Sequence, residues 1–324
     1  MKTIIGLGLA GLGLLTLPAP AAQAQAGNYP EKTVTIIADA APGATPDVDA
    51  RFVAEGLSKI WGQQVIVINH PGANGSIAAR TATDAIPDGY TLFMPALSTF
   101  ASLPTVAPNL PLKLPRDFIP IGYTAENPMF FAVTPSLGVS TLPELIALAK
   151  KDPGKISIAV TGVGRLTHLT GLVFQDRADV SLLPVPYNGG PAAALADVVG
   201  GRVSMIIEGY SGIVGSVKAG QVKLIAVASP ERLPQFPDLP TVAETLPGFA
   251  ARGWQVLVAP LGTPAPIVSK ISVDLAKVVS DPDFKQRLSN IGSYSRAMTP
   301  EQVLAFVQKE QDTWLPVLQK ISQK

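Results

Sequence analysis

Strand-like and helix-like runs alternate between residues 34 and 94, and this alternation restricts the fold of the chain most strongly. The runs lie at 34–39, 47–61, 64–69, 76–85 and 90–94. The loops between strand and helix, AAPGATP (40–46) and HPGANG (70–75), are rich in small residues. Such an order predicts parallel β-α-β units, in which ligands bind at the loops after the strands. Because the N–H groups at a helix start attract anions, the pattern indicates a site for a negatively charged ligand.

A second block of the same kind predicts a second α/β lobe. Its runs lie at 156–160, 166–178, 182–185, 191–200, 203–207, 212–219 and 222–228. The strand-like runs 119–135 and 253–260 are placed to cross between the lobes, with a ligand cleft between them. Helices are predicted over 264–280, 281–291 and 299–321, with Thr263 and Thr299 as N-caps before prolines. The predicted domains are 27–126 plus 254–324 for lobe 1, and 127–253 for lobe 2.

The amino-terminal residues follow the pattern of an export signal. Lys2 precedes the apolar run at 4–17, and AAQAQA (21–26) offers Ala-x-Ala cleavage sites. The apolar run is too short for a spanning helix, and no cysteine follows it to carry a lipid. We therefore expect residues 1–26 to be a signal peptide, cleaved near Ala26, and the mature protein to be periplasmic. An uncleaved anchor is the alternative.

Charge and cysteine content narrow the classes of function. The chain has 25 Lys and Arg against 24 Asp and Glu, which gives no electrostatic case for binding nucleic acid. It has no cysteine, so disulfides, thiol catalysis and thiolate metal sites are excluded. We expect a monomer of ordinary core stability that binds no nucleic acid.

Three enzyme signatures are incomplete. Residues 162–168 begin like a dinucleotide-binding fingerprint but have Thr167 in place of the third glycine. The segment GYSG (209–212) is one residue short of a nucleophile elbow. His70 and His168 have no metal-ligand neighbour in the sequence. We predict no enzymatic activity, no cofactor and no metal.

An ordered set of motifs resembles the Bug family, the solute receptors of tripartite tricarboxylate transporters. The motifs lie at 29–51, 68–79, 87–94, 161–169, 185–190, 239–244 and 259–268, and so cover the mature chain. The resemblance implies a type II periplasmic binding fold, whose two α/β lobes close on a small carboxylate. It also implies partners in the membrane subunits of a transporter, and carboxylate binding by backbone amides at loops matching 42–47, 97–99 and 160–168.

The candidate ligand-binding residues come from these loops and from position 208, where an acid is common in the family. They are Pro42, Gly43, Ala44, Asp47, Leu97, Ser98, Thr99, Val160, Thr161, Gly164, Arg165, His168 and Glu208. Asp47 is also interpreted as the N-cap of the helix over 47–61.

Departures from the family pattern point to the type of ligand. Leu97 and Val160 stand where small hydroxyl residues are common, and Arg165 stands where Ser or Thr is common. Apolar walls suit an aromatic or otherwise bulky acid better than a small hydroxy- or amino-acid. We favour a dicarboxylate or an aromatic acid, such as a benzene (di)carboxylate. Arg165 is predicted to hold a carboxylate with two parallel hydrogen bonds, and a solvated surface arginine is the alternative.

Two other functions remain open at this point. A secreted hydrolase acting on a small carboxylate would use Glu208, Asp47 or His168 in the cleft. A chemosensory binding protein would use the same cleft but dock on a sensor kinase.

Overall fold

The computed structural model describes residues 28–101 and 114–322. The expected signal peptide, residues 1–26, and its cleavage site near Ala26 lie outside the described residues. Within the described ranges, no helix combines the length and the apolar character needed to cross a membrane.

Nine strands and ten α-helices are found in the described ranges. The strands are β1 Val34–Ala38, β2 Val65–Asn69, β3 Thr91–Met94, β4 Phe118–Val133, β5 Ser157–Val160, β6 Leu183–Pro186, β7 Met205–Gly209, β8 Lys223–Val227 and β9 Arg252–Pro260. The helices are α1 Thr45–Trp61, α2 Ser76–Thr83, α3 Leu97–Ala101, α4 Leu142–Lys151, α5 Leu166–Ala178, α6 Pro191–Val199, α7 Tyr210–Lys218, α8 Ala265–Ser280, α9 Pro282–Asn290 and α10 Pro300–Ser322.

The strands form one connected sheet that passes through both lobes. Its order is β2-β1-β3-β9-β4-β7-β5-β6, and β8 pairs with β4. In lobe 1, β1 is parallel to β2 and β3, and in lobe 2, β5 is parallel to β6 and β7. This arrangement confirms the α/β architecture that the sequence predicts, with two lobes joined by crossing strands.

The two long strands β4 and β9 join the lobes. They pair antiparallel from Phe118 opposite Pro260 to Pro128 opposite Arg252. Beyond Pro128, strand β4 continues into lobe 2 and pairs with β7 and β8. The cleft therefore lies beside two strands that cross from one lobe to the other.

Lobe 1 includes α8, a helix from the carboxyl-terminal part of the chain that packs against α1. Helix α1 buries Val53 and Leu57 in the same apolar cluster as Leu275 and Val278 of α8. The helices approach closely at Gly56, where an added Cβ would lie 2.5 Å from a methyl carbon of Val278. Burying each of these side chains contributes about 1.5–3 kcal/mol to the stability of the folded chain.

One of the three proposed caps is confirmed. The Thr299 hydroxyl accepts a hydrogen bond from the Gln302 N–H at 3.3 Å, and Gln302 Oε1 accepts from the Thr299 N–H at 2.9 Å. This reciprocal pair starts α10. Thr263 is not an N-cap, because its hydroxyl donates to the Pro260 carbonyl at 2.8 Å and α8 begins after Pro264.

The interpretation of Asp47 as an N-cap is also wrong. Helix α1 begins at Thr45, because Pro46 is well suited to the first turn, and Ala44 is the N-cap residue. Asp47 lies inside that turn, and its Oδ2 accepts a hydrogen bond from the Gly43 N–H at 2.9 Å. It thus stabilises the preceding loop from within the helix.

Candidate functional site

A cavity of about 670 Å³ lies between the lobes, at the carboxyl ends of β1, β5 and β7. Much of its wall is apolar, including Ala40, Ala41, Pro46, Leu97, Met129 and Leu166. Neutral polar side chains also line it, and they are Thr45, Asn74, Ser98, Asn127, Thr161, Thr167, Asn188 and Gln255. Its volume is that of a small-molecule site with a few placed polar groups.

Three of the longer helices begin at the cavity wall, in addition to the five-residue α3, which begins at Leu97. Residues at the starts of α1, α5 and α6 line the cavity: Thr45, Leu166 and Pro191. None of these helices has a side-chain hydrogen bond from its N-cap residue to the first turn. Each start carries a partial positive charge from the helix dipole, so the three together favour an anion in the cavity.

A buried ion pair crosses the cleft. Arg165 Nη2 lies 3.2 Å from Asp39 Oδ1, and Arg165 Nη1 donates to the backbone oxygen of Asp39 at 3.0 Å. Asp39 follows β1 in lobe 1, whereas Arg165 precedes α5 in lobe 2. The carboxylate also accepts hydrogen bonds from the Ala96 N–H, at 3.1 Å, and from the Thr99 hydroxyl.

Glu208 is the second acid of the cavity wall. Its Oε2 accepts a hydrogen bond from the Thr161 hydroxyl at 2.7 Å, and its Oε1 accepts from the Gly209 N–H at 3.0 Å. Burial raises the pKa of the Glu208 carboxyl, while these two donors and the charge of Arg165 partly oppose that shift. The wall near Glu208 therefore provides a carboxyl group with a weakened tendency to ionise.

The structure brings six of the thirteen predicted site residues to the cavity wall. They are Ala44, Leu97, Ser98, Thr161, Arg165 and Glu208. The other seven lie outside the described lining and surround it: Pro42, Gly43, Asp47, Thr99, Val160, Gly164 and His168.

Several of these surrounding residues hold the loops in place. Asp47 binds the Gly43 N–H, and it also accepts a hydrogen bond from Asn69 Nδ2 at 2.8 Å. His168 Nδ1 accepts from the Gly164 N–H at 3.1 Å, so this nitrogen carries no proton in this arrangement. Burial lowers the pKa of His168, which agrees with a neutral imidazole.

Sequence reasoning missed the polar residues that complete the wall. Asp39, Asn127 and Gln255 line the cavity from β1 and the crossing strands, outside the glycine-rich loops from which candidates were drawn. Asp39 did leave a signal, since it is an acid placed directly after the apolar residues Ile36, Ile37 and Ala38 at the end of a strand-like run. Asn127 and Gln255 sit within strand runs and could be placed only once the crossing of the strands was known.

The described residues contain no cluster of three or more His, Asp or Glu side chains with the geometry to hold a metal ion. The polar groups of the cavity wall are hydroxyls, amides, one guanidinium and two carboxyls, so the arrangement suits reversible binding by hydrogen bonds.

Comparison with known proteins gives consistent relatives. The model of the tripartite tricarboxylate transporter family receptor matches residues 49–323. A UPF0065 protein of Bordetella bronchiseptica is 33% identical over 306 residues, which are 94% of this chain and 90% of that protein. These matches confirm the family resemblance that the motifs indicate.

Solved structures of periplasmic proteins are also similar to this chain. The R. palustris protein Rpa4515, solved with adipate, has a TM-score of 0.86 and 29% identity, and the match covers 91% of this chain and 98% of that one. The periplasmic binding protein BugD has a TM-score of 0.81 and 32% identity, with 91% and 99% covered.

Proposed function

Since this chain belongs to the tripartite tricarboxylate transporter family of receptors, we propose that it binds an organic carboxylate between its lobes and delivers it to the membrane subunits of such a transporter. The observation that carries the proposal is the convergence of three helix starts, without side-chain caps, on one cavity. The adipate in Rpa4515 supports it, because adipate is a carboxylate.

The proposal includes the localisation, the oligomeric state and the domain bounds that the sequence predicts. The mature protein is periplasmic and monomeric and begins after Ala26, with lobe 1 formed by 27–126 plus 254–324 and lobe 2 by 127–253. The carboxylate lies against the starts of α1 and α5, near Ala44 and Thr161. The apolar wall at Leu97 and Met129 supports a ligand with a bulky or aromatic body.

The hydrolase alternative has little geometric support. Of its three candidate side chains, Glu208 lines the cavity, whereas Asp47 and His168 lie outside the described lining and are hydrogen-bonded to loop N–H groups. A chemosensory role would use the same cavity, and differs in the protein that docks on the outer surface.

A thermal-shift screen of the exported protein against aliphatic and aromatic carboxylates tests the function. A carboxylate at ~100 times its dissociation constant should raise the free energy of unfolding by about 2.7 kcal/mol. The ligand should be recovered unchanged, since a receptor releases what it binds. Carboxylates that leave the melting temperature unaltered across the panel would exclude the receptor function, and conversion of a bound acid would favour the hydrolase.

A further inference from the structure

Among the described residues of the cavity wall there is one guanidinium, that of Arg165, and an acid of the opposite lobe already neutralises it. Asp39 is fully buried, and the side chain of Arg165 is 17% exposed. The ion pair joins Nη2 to Oδ1 at 3.2 Å, and the second amino group of the guanidinium binds the backbone oxygen of the same residue. Two of the five N–H donors of Arg165 are thus committed to Asp39.

Both partners are held in this arrangement by their surroundings. The Ala96 N–H and the Thr99 hydroxyl fix the Asp39 carboxylate. The aliphatic stem of Arg165 lies against Gly162, where an added Cβ would approach its Cδ at 2.6 Å. A buried pair fixed on both sides keeps its charges together, because separating them would leave one charge buried without a partner.

Counting charges shows what the ion pair does to the cavity. Among the described residues of the wall, Arg165 is the single cation, and Asp39 and Glu208 are the acids. Asp39 and Arg165 cancel, and Glu208 adds either no charge or a negative one. The side chains of the described wall therefore provide no net positive charge. Attraction for an anion comes from the helix starts, each equivalent to roughly half an elementary charge.

We propose that Asp39 sets the charge of the ligand: by neutralising Arg165, it restricts the cavity to acids with a single carboxylate. This proposal rests on the proposed function. The carboxylate lies at the helix starts, and the rest of the ligand is uncharged against the apolar wall. A second carboxylate in the same cavity would lack a counter-charge and would repel Glu208 when that group is ionised. The proposal separates this chain from Rpa4515, which was solved with a dicarboxylate.

A series of four proteins varies the charge of the pair. The wild type and the double variant Asp39→Asn/Arg165→Gln have a pair charge of zero. Asp39→Asn alone has one positive charge, and Arg165→Gln alone has one negative charge. Glu55→Gln is the matched control, because it removes one negative charge from an exposed ion pair with Arg287, away from the cavity wall.

Titration calorimetry with hexanoate and adipate, and with benzoate and terephthalate, measures the effect on matched carbon skeletons. The wild type should bind the monocarboxylate of a pair at least about tenfold more tightly than the dicarboxylate. Asp39→Asn should reduce this ratio at least about tenfold, and the double variant should restore it. Arg165→Gln should raise the ratio, and Glu55→Gln should leave it unchanged.

Two results would overturn the proposal. One is a wild type that prefers the dicarboxylate in both pairs, and the other is an Asp39→Asn protein whose ratio stays within about twofold of the wild-type ratio. If Asp39→Asn does not fold, the test is made with Arg165→Gln. The proposal is then overturned if the preference of Arg165→Gln for the monocarboxylate does not exceed that of the wild type. Failure of the receptor function is distinct, because there no carboxylate binds the wild type at all.

Discussion

Asp49 is fully buried on helix α1, beneath the crossing strands. Its Oδ2 accepts a hydrogen bond from Asn127 Nδ2 at 2.6 Å, whereas its Oδ1 has no partner among the described residues. The buried Oε1 of Gln255, a residue that also faces this carboxyl, has none either. Burial, only partly opposed by hydrogen bonds, raises the pKa of Asp49 from 3.8 to about 7.

This raised pKa predicts the sign of a pH effect on stability. Between about pH 4 and pH 7 the folded chain keeps a proton that the unfolded chain releases, so the stabilisation is complete at low pH and is lost as the pH rises through 7. Asp49→Asn should therefore gain up to about 4 kcal/mol relative to the wild type between pH 4 and pH 8. Urea unfolding at both pH values measures the difference.

The exposed Asp152, which pairs with Lys155, provides the control for that experiment. Asp152→Asn should change the free energy of unfolding by no more than about 0.5 kcal/mol at either pH. An Asp49→Asn protein whose stability follows the same pH slope as the wild type would contradict the assignment.

Arg165 shows the limit of sequence reasoning about one residue. It lines the cavity, but the sequence could not identify its partner, because Asp39 lies 126 positions away and in the other lobe. The predicted grip on a ligand carboxylate therefore remains a prediction for those N–H groups that Asp39 does not occupy. Contacts of this kind depend on how the lobes meet, and local sequence patterns do not show which residues of the two lobes come together.

At the scale of elements, the two lobes approach each other closely at Gly209, where the end of β7 meets the start of α1. A Cβ added at Gly209 would lie 2.2 Å from Thr45 Oγ1 and 2.8 Å from Thr45 Cβ. Beside it, the Ser211 hydroxyl donates to Thr45 Oγ1 at 2.7 Å. Gly209 has an ordinary φ of −63°, so its lack of a side chain matters for space and not for backbone conformation.

Gly209→Ala should consequently force the two elements apart. We expect a loss of about 1–3 kcal/mol in the free energy of unfolding, as for other overpacked sites, together with weaker carboxylate binding. Denaturant unfolding and calorimetry measure both. The same substitution at Gly215, in the middle of α7 with open space around it, should stabilise by about 0.5–1 kcal/mol. Equal effects at both positions would show that the approach to Thr45 is unimportant.

Most elements could be predicted from the sequence, because each strand and helix has its own periodic pattern. The pattern at 47–61 and at 166–178 gave helices that the structure has, and the strands 156–160 and 253–260 are present within a residue or two of those limits. The residues at which helices begin were harder to predict from the sequence. Thr263 and Thr299 both precede proline, yet only Thr299 has a glutamine three residues later to complete the cap.

At the scale of the whole molecule, two crossing strands and a cleft predict motion of one lobe against the other. The loops already touch across the cavity, as at Gly190, where an added Cβ would lie 2.9 Å from the Ala41 Cβ. We expect a saturating carboxylate to favour this closed arrangement and so to reduce the radius of gyration seen by small-angle scattering. The same concentration of a carboxylate that does not bind is the control, and an unchanged profile at confirmed saturation would indicate a rigid molecule.

The two-lobe architecture was predictable because the chain repeats one pattern on either side of a long strand run. The division of charge within the cleft was not, since Asp39, Arg165 and Glu208 come from three separate strand ends. Family resemblance located the loops, while the ion pair became apparent only with both lobes in place.

Lobe 1 takes its strands from both ends of the described chain, and this has a consequence for the order of assembly. Strand β3 pairs with β9, where Phe93 lies opposite Val258, and α1 packs on α8, so both elements wait for partners made much later in the chain. Most of lobe 2 is contiguous and can pack while the remaining chain is still being synthesised or exported. The part of the cavity wall that β9 provides, at Gly253 and Gln255, is therefore completed last, and a nascent chain that stops before β9 lacks it.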